Sequence, residues 1–598
     1  MSIQSELIRS FRPILQSLTP EAESYLGMIR RAGDDKFGDY QANFAMPLAK
    51  KLGKKPRDVA EEIANAWTNF DLCPKPEVAG PGFLNIRINN AWLEKSVQTQ
   101  LTDERLSVPA VEKPRTIVID YSAPNVAKPM HVGHIRSTSI GDALYKILKF
   151  LGHNVISDNH LGDWGTQFGM IIWGYRRFLN PEAYQANPVA ELTRIYRLVR
   201  QLVDEKKTVE QAEQEFSGTS VEGEDASQLV GDAVLMETSK LHHGDEENLA
   251  LWKQIMQSCY KEIDKVYSRL KVRFDYTLGE SSYQPQLEPL VESMIASGLA
   301  QVSEGAVVVF NPEISEAPFL IRKRDGAFIY GTTDLATLEY RKAHFHPDAV
   351  LYVVDSRQAL HFQQLFRTWR RMDPANENVE LKHVSFGTVM GDDGKPFKTR
   401  SGDTVGLESL LDEAESAAWK VVEQSQACQS MTEEQRRDVA RKVGIGALKY
   451  ADLSQNRDSD YVFSYEKMLA MNGNTATYMQ YAYARVRSIF DKGGIDVEAF
   501  RKSNPAIVLT QPAERALVIE LSRFEEALLS AVSDYRPNQL TSYLFELAAR
   551  YSTFFERCPV LKAESEGAKT TRLALCDLTA RTIQKGLELL GIETVERM

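Results

Sequence analysis

Cysteine is scarce and scattered: the 598 residues hold five, Cys73, Cys259, Cys428, Cys558 and Cys576, and no two form a C-x-x-C pair. That spacing fits neither a zinc ribbon nor a disulfide framework and suits a reducing cytoplasm. Long apolar runs are missing too. No window approaches the ~18 consecutive apolar residues of a membrane-crossing helix, since even Ile171-Ile172-Trp173 runs into Arg176 and Arg177. Met1 to Leu15 carries Glu6 and Arg9 and lacks the unbroken apolar segment of an export signal. Nor is there an excess of positive charge. Against 82 Asp and Glu stand 71 Lys and Arg, a net charge of -11 that argues against coating a polyanion and leaves only local basic grooves for one. There is no convincing internal repeat and no low-complexity tract. The expectation is a cytoplasmic protein with no membrane partner.

What is present is ordinary globular composition, 43% hydrophobic and 26% charged, which excludes wholesale disorder. At roughly 100 to 200 residues per domain, the length predicts about three to five domains. Residues 1–105 read as a small α/β unit, with helical periodicity over Ala42 to Leu52 and Val59 to Trp67. The turn Gly80-Pro81-Gly82 then sets up a strand Phe83 to Ile88 with Asn85 and Arg87 facing outward. Residues 110–410 read as a doubly wound, Rossmann-like parallel-sheet domain. The β-branched run Thr116 to Asp120 is followed by a loop, a helix carrying Ile140, Leu144, Ile147, Leu148 and Leu151, a glycine cap at Gly152 and a second strand, Asn154 to Ser157. Ala306 to Phe310, Ala349 to Val354 and His383 to Phe386 are further strand candidates. Strands alternating with helices imply an α/β fold. A polar, acidic stretch at about 180–245, with helical periodicity near Ile195 to Val203, reads as an insertion. Residues 411–598 lose the β pattern and show amphipathic helices at Leu517 to Leu529, Leu540 to Phe555 and Arg572 to Leu590.

Chemistry is concentrated where the first strand of the sheet passes into its helix, the position at which open α/β sheets bind nucleotides. There the chain reads His131-Val132-Gly133-His134. With ten histidines and 35 glycines in the chain, such a motif arises by accident about 0.01 times per chain. Gly133 removes a side chain where ATP approaches the backbone, the helix N-terminus offers free N–H groups, and two imidazoles can donate to phosphate. His361 follows the strand ending at Val354 and lies within reach of the nucleotide at the carboxyl end of the sheet.

Tyr121-Ser122-Ala123-Pro124-Asn125 leading into that histidine motif resembles the signature of class I arginyl-tRNA synthetases. The resemblance continues through Asn159 to Gly169, Gly331-Thr332-Thr333-Asp334 and the C-terminal run from Ala580 to Met598, so it spans almost the whole chain. It implies activation of arginine with ATP and Mg²⁺, transfer to the 3'-terminal ribose of tRNA, and dependence of activation on bound tRNA; a monomer is the expected state. It places Glu280, Asp334 and Tyr330 around the guanidinium and Asn125 and Gln364 at the α-amino group. A permanently charged, planar guanidinium calls for carboxylates of this kind, and such pairing rejects smaller amino acids without an editing domain. The second class I signature departs from the common pattern and reads Lys395-Pro396-Phe397-Lys398-Thr399-Arg400-Ser401-Gly402. Lys395, Lys398 and Arg400 are its candidate phosphate ligands, and the resemblance adds Lys128, just before the histidine motif, as the missing charge.

For RNA, basic clusters occur at Lys50-Lys51 with Lys54, Lys55 and Arg57, and at Arg436-Arg437 with Arg441 and Lys442. Tyr478, Tyr481, Tyr483, Arg485 and Arg487 interleave rings with charge in a way that suits unpaired bases, although helical spacing sends some of them to the core. The resemblance assigns the C-terminal helices to the anticodon and Phe83 and Asn85 to the D-loop. A nucleotidylyltransferase sharing the histidine signature leaves the helical C-terminal domain unexplained. A retired, purely RNA-binding scaffold fits poorly with an intact Gly133 and acid pair.

Overall fold

The computed structural model of the protein describes residues 2–126, 128–221, 225–391, 393–397 and 406–598. It divides into two compact units: one comprises Met1–Val111, Ala417–Ser454 and Glu466–Met598, the other Glu112–Ser416 and Gln455–Tyr465. Among the described residues no helix is long and apolar enough to cross a membrane, and all five cysteines are free and buried.

In the first unit, β1 (Ile29–Arg31), β2 (Tyr40–Ala42), β3 (Glu77–Ala79) and β4 (Phe83–Ile86) form an antiparallel sheet in the order β1-β2-β4-β3. The expected helix from Ala42 starts at Ala45 instead, because Ala42 pairs with Leu84 and Ile29 as the last residue of β2. The second helix runs Pro56–Asn65, with proline at the first-turn position where its missing N–H costs nothing. Asn85 does not face outward as expected. Both faces of β4 are covered, so Leu84, Asn85 and Ile86 are all buried, and Asn85 accepts a hydrogen bond from Gln41 Nε2 at 2.7 Å. The long C-terminal helices pack against this region through specific polar contacts. Arg515 clamps both oxygens of Asp39 at 2.8 and 2.7 Å, and the Arg581 guanidinium donates to the carbonyls of Gln100, Leu101 and Asp103. The helix expected over Leu517 to Leu529 is two helices, Pro512–Leu521 and Phe524–Ser533, since Ser522 and Arg523 leave the helical path without interrupting the apolar spacing.

In the second unit, β5 (Thr116–Asp120), β6 (Asn154–Asp158), β10 (Ala349–Tyr352) and β11 (Glu380–His383) form a parallel sheet in the order β11-β10-β5-β6. The chain winds from β5 outward to β6 and later to the other side through β10. Strand order therefore reverses between β5 and β10, and the crevice at their carboxyl ends is the expected ligand position. The strand expected at His383 to Phe386 lies three residues earlier. Its ladder ends where β10 ends, and Phe386 makes only an isolated bridge with Asp355. Ala306 to Phe310 is a strand, Ala306–Val309 (β8), but it pairs antiparallel with β7 (Gln301–Ser303) and β9 (Phe319–Arg322) outside the parallel sheet. β12 (Val389–Met390) and β13 (Tyr461–Val462) make a short parallel pair. Val118, Val350, Leu335, Phe319 and Trp369 share one core. The polar stretch has a core of its own, built from Trp173, Ile195, Val199, Leu202 and Val230 on the helices Thr166–Phe178, Pro188–Asp204 and Val230–His242.

At the carboxyl end of the sheet, the fully buried Arg341 donates through Nη2 to Asp120 Oδ2 at 2.6 Å and Asp158 Oδ2 at 2.7 Å. Removing one partner from such a cluster strands buried charge, typically at a cost of about 3–5 kcal/mol, whereas removing all the charges together is often close to neutral. Arg341→Met is expected to lose stability in that range, and Arg341→Met combined with Asp120→Asn and Asp158→Asn to regain most of it. Denaturant unfolding of the three proteins checks the pattern.

Candidate active site

The loop leaving β5 is held in an unusual backbone shape. Ser122 and Ala123 both adopt the left-handed region, at φ 73° and 44°, conformations that persist in non-glycine residues only where the surroundings over-determine them. Here they do. Ser122 N–H donates to Ser137 Oγ at 2.8 Å, its hydroxyl meets those of Thr138 and Tyr267, and Ala123 N–H donates to Asn159 Oδ1 at 3.0 Å. Farther on, Val126 N–H donates to Gly162 O at 3.1 Å, Gly162 N–H donates to Pro124 O at 3.2 Å, and Asn125 Nδ2 donates to Gln167 Oε1 at 2.5 Å. The loops after β5 and β6 are thus laced to each other.

The loop after β6 in turn positions Glu280. Leu161 O accepts from Glu280 N–H at 3.0 Å, and the Asp163 carboxylate accepts from Ser281 N–H at 2.9 Å and Ser281 Oγ at 2.7 Å. Gly279 is required for this approach, because a Cβ there would lie 2.2 Å from Asp163 Oδ2. Burial pushes the Glu280 carboxyl up to about 7; His160 opposes this, while the charges of Asp334 and Asp163 add to it. Glu280 therefore feels the charge of Asp334. Asp334 lies one turn into the helix Tyr330–Phe345, and its Oδ2 pairs with His361 Nε2 at 2.6 Å. Tyr330, the exposed first residue of that helix, meets the His361 ring edge-on at 4.8 Å. His361, expected at the nucleotide, is thus joined to the residues expected at the guanidinium. Gln364, one turn beyond His361, is buried and donates through Nε2 to Ala317 O at 2.9 Å, which leaves the acceptor role to its Oε1.

The helix Val132–Phe150 begins at His131. His131 Nδ1 accepts from Gly133 N–H at 3.1 Å, His134 Nδ1 accepts from His131 N–H at 3.0 Å, and the two rings stand 4.0 Å apart. A Cβ on Gly133 would sit 3.0 Å from the His131 ring, so glycine makes room for this fold-back. With both Nδ1 atoms accepting, the neutral rings carry their protons on Nε2. Partial burial, then the charges of Arg357 and Lys128, hold His131 below the usual imidazole range. Burial and the neighbouring His131 push His134 down to about 3, against a smaller opposing contribution from its bond to the His131 backbone. The pair is therefore two neutral Nε2–H donors at a helix N-terminus.

The second signature starts from β12. Phe397 N–H donates to Val389 O at 2.9 Å and its ring packs 5.0 Å from Phe463, while Lys395 sits in the exposed turn before it. Lys398 and Arg400 lie outside the described residues. The chain is described again at Gly406, which bridges to His131, and Leu407 N–H donates to Met130 O at 2.8 Å. The segment that follows the second signature thus meets the histidine motif. Lys128 holds its ammonium 4.8 Å from the centre of the Tyr196 ring.

The RNA candidates fall into two groups. Tyr481 and Arg485 line a cavity of about 770 Å³ together with Lys492, Phe555, Lys562 and Arg597, and Arg485 stacks over Phe555 at 4.1 Å. Tyr478 is half-buried, 3.4 Å from Ser552 Oγ and outside that lining. Tyr483 is a core residue bonded to Glu596 at 2.9 Å, which also pairs with Arg487. Phe83 is half-buried, and Asn85 lines a smaller cavity of about 220 Å³ with Lys36, Lys75 and Arg87. The basic clusters are largely neutralised by ion pairs: Lys51 with Glu21, Lys54 with Glu62, Arg57 with Glu61, and Arg441 with Glu593. Sequence reasoning missed the Ser122-Ala123 conformation, Arg341 and Tyr196. Arg341 and Tyr196 lie in no motif, and the Ser122-Ala123 backbone shape is set by partners elsewhere in the chain.

Comparison with known proteins matches residues 96–465 to the family described as tRNA synthetases class I (R), catalytic domain. Residues 5–88 match the arginyl tRNA synthetase N terminal domain and 479–598 the DALR anticodon binding domain. An arginine–tRNA ligase of Rhodopirellula baltica is 45% identical over 674 aligned residues, covering 100% of both chains. One of Aliivibrio fischeri is 42% identical, again with 100% of both covered. The crystal structure of arginyl-tRNA synthetase from Plasmodium falciparum superposes with a TM-score of 0.81 at 27% identity, covering 100% of this chain and 99% of that one. The Thermus thermophilus arginyl-tRNA synthetase shares the fold, with a TM-score of 0.77 at 23% identity over 98% and 100%.

The imidazole geometry makes a direct prediction. With histidine isotopically labelled, His134 is expected to show no titration between pH 5 and 8 and to give the nitrogen shifts of the Nε2–H tautomer. A midpoint near the ordinary value of about 6.5 would contradict the neutral-donor arrangement.

Proposed function

The chain belongs to the class I arginyl-tRNA synthetase family, and we propose that it is an arginine–tRNA ligase in which Glu280, Asp334 and Tyr330 receive the guanidinium while His131 and His134 serve the ATP phosphates. The observation that carries this reading is that one chain holds both an acid pair, Glu280 and Asp334, that feel each other's charge and a pair of neutral imidazoles opening the helix after β5. In the first step an oxygen of the arginine carboxylate attacks the α-phosphate of ATP. The bond to the β-phosphate breaks, and arginyl-adenylate and pyrophosphate result. In the second, the 2'-hydroxyl of the terminal tRNA ribose attacks the arginyl carbonyl, loses its proton and releases AMP. Little covalent chemistry falls to side chains, so the rate comes from positioning and from donors aimed at developing charge.

Two Nε2–H groups suit the α-phosphate oxygens, on which negative charge grows in the transition state. Gly133 keeps the backbone there open. Lys128 supplies positive charge, joined by Lys395 and Lys398 from the second signature. His361 stands between nucleotide and amino acid, and its contact with Asp334 couples the two subsites. An α-ammonium needs acceptors, which suits Gln364 Oε1 and the side chain of Asn125. Mg²⁺ arrives with ATP. We assign it to the phosphates themselves, which are hard oxygen ligands of the kind Mg²⁺ prefers.

We assign residues 1–105 to tRNA contact through Phe83 and Asn85, 110–410 to catalysis, and 411–598 to the anticodon through Tyr478, Tyr481 and Arg485. We take the enzyme to be a cytoplasmic monomer whose activation step requires bound tRNA. Full exchange without tRNA would refute that requirement.

Charging of bulk tRNA should proceed with arginine and not with lysine; equal charging would overturn the specificity. With tRNA present, His134→Ala should lower kcat for arginine-dependent ATP–pyrophosphate exchange by about 10²-fold, in line with loss of one oxyanion donor, while KM for arginine changes little. Because the empty-site Glu280 carboxyl is raised to about 7, it holds a proton below that pH and must lose it to pair with the guanidinium. KM for arginine should therefore rise as pH falls below about 7, by up to tenfold per unit, and Glu280→Gln should raise KM and flatten the profile.

A further inference from the structure

We propose that Tyr196, on the insertion helix Pro188–Asp204, is a positioning residue for the activation step, its ring face holding the Lys128 ammonium in place beside the histidine signature. This rests on the assignment of Lys128 to the ATP phosphates made above.

Lys128 is exposed, on the loop between Asn125 and Pro129, and its long side chain has many rotamers open to it. Its ammonium nonetheless lies over the Tyr196 ring at 4.8 Å, within the ~6 Å at which an aromatic face attracts a cation. From there its charge is felt at His131. The ring is half-buried and braced from behind, since Tyr196 packs against the insertion core of Trp173, Ile195 and Val199. A ring is the appropriate partner for a lysine that must serve a polyphosphate. A carboxylate would orient the ammonium but cancel its charge, whereas a quadrupole orients it and leaves the full positive charge for the ligand.

A second observation ties the same helix to this place. A cavity of about 180 Å³ is lined by Lys128 and Met130 from the loop before the histidine signature, Val189 and Ala190 from the insertion helix, and Gly406 from the segment after the second signature. The insertion thus lines the place where the loop before the histidine signature meets Gly406.

The test is steady-state ATP–pyrophosphate exchange by the full-length enzyme with arginine and tRNA present, in a cycle of Tyr196→Leu, Lys128→Ala and the double variant. Tyr196→Leu should lower kcat by about 2- to 30-fold, the span expected of one cation–π contact, with KM for arginine unchanged. Tyr196→Phe, which keeps the ring and drops the hydroxyl, should restore most of the loss. In the Lys128→Ala background, Tyr196→Leu should cost nothing further. A shorter side chain also loosens the insertion core, so the cycle decides: an equal loss in both backgrounds would mean general damage and overturn the inference. Lys128→Ala slowed with Tyr196→Leu at wild-type rate would overturn the inference alone. Lys128→Ala at wild-type rate would remove the reading of Lys128 and the inference with it.

Discussion

Arg341 ties together the three segments from which the site is built. Its guanidinium joins Asp120, the last residue of β5, to Asp158, the last residue of β6, and it projects from the helix that carries Tyr330 and Asp334 at its other end. The Tyr121–His134 loop leaves from the first of these, the Asn159–Gly169 loop from the second, and the acid of the candidate arginine pocket rides on the third. Taking three charged groups out of water offsets most of their mutual attraction. What the cluster supplies is a fixed distance between two loop origins and one helix. Asp120 illustrates the balance: burial raises its carboxyl, and Arg341, first among the opposing groups, pulls it back. The stack of Arg341 over Tyr352 at 5.4 Å extends the same fixation to β10, so every strand bordering the switch point is engaged.

From that frame the loops are built by mutual support. The left-handed Ser122-Ala123 pair is held by Ser137, Thr138, Tyr267 and Asn159, residues of two helices and the neighbouring loop. The Asn159–Gly169 loop receives Glu280 and Ser281, and the histidine signature receives Gly406. No loop depends on its own sequence alone. A site of this kind is preorganised, because shifting one loop requires breaking hydrogen bonds in at least one other.

How much of this was legible in the sequence follows from the range of the interactions. Thr116 to Asp120 was readable as a buried strand because its apolar run is local, and the helix ending at Gly152 because its spacing and cap are local. The His131 motif stood out because histidine is rare in the chain. What local pattern could not give is pairing. Ala306–Val309 has the composition of a sheet strand, and only the positions of β7 and β9 decide that it belongs to an antiparallel sheet. Asn85 was read outward from alternation, which fails where both faces of a strand are covered. Tyr483 and Tyr481 look alike in sequence, yet the first is fixed by Glu596 and the second opens on a cavity. The acid pair was found through resemblance and not through spacing: 54 positions separate Glu280 from Asp334, and nothing between them signals proximity.

The electrostatics of the pocket explain how such acids can remain close together before a substrate arrives. Two neighbouring carboxylates of like charge destabilise each other, and a proton on Glu280 below about pH 7 relieves that repulsion. On the proposed reading, the entering guanidinium replaces the proton. It never loses its own charge, so below about pH 7 the exchange is one cation for another. An amino acid with a neutral side chain offers no such replacement and would bury an acid against an apolar group. On that reading, discrimination arises in the binding step itself.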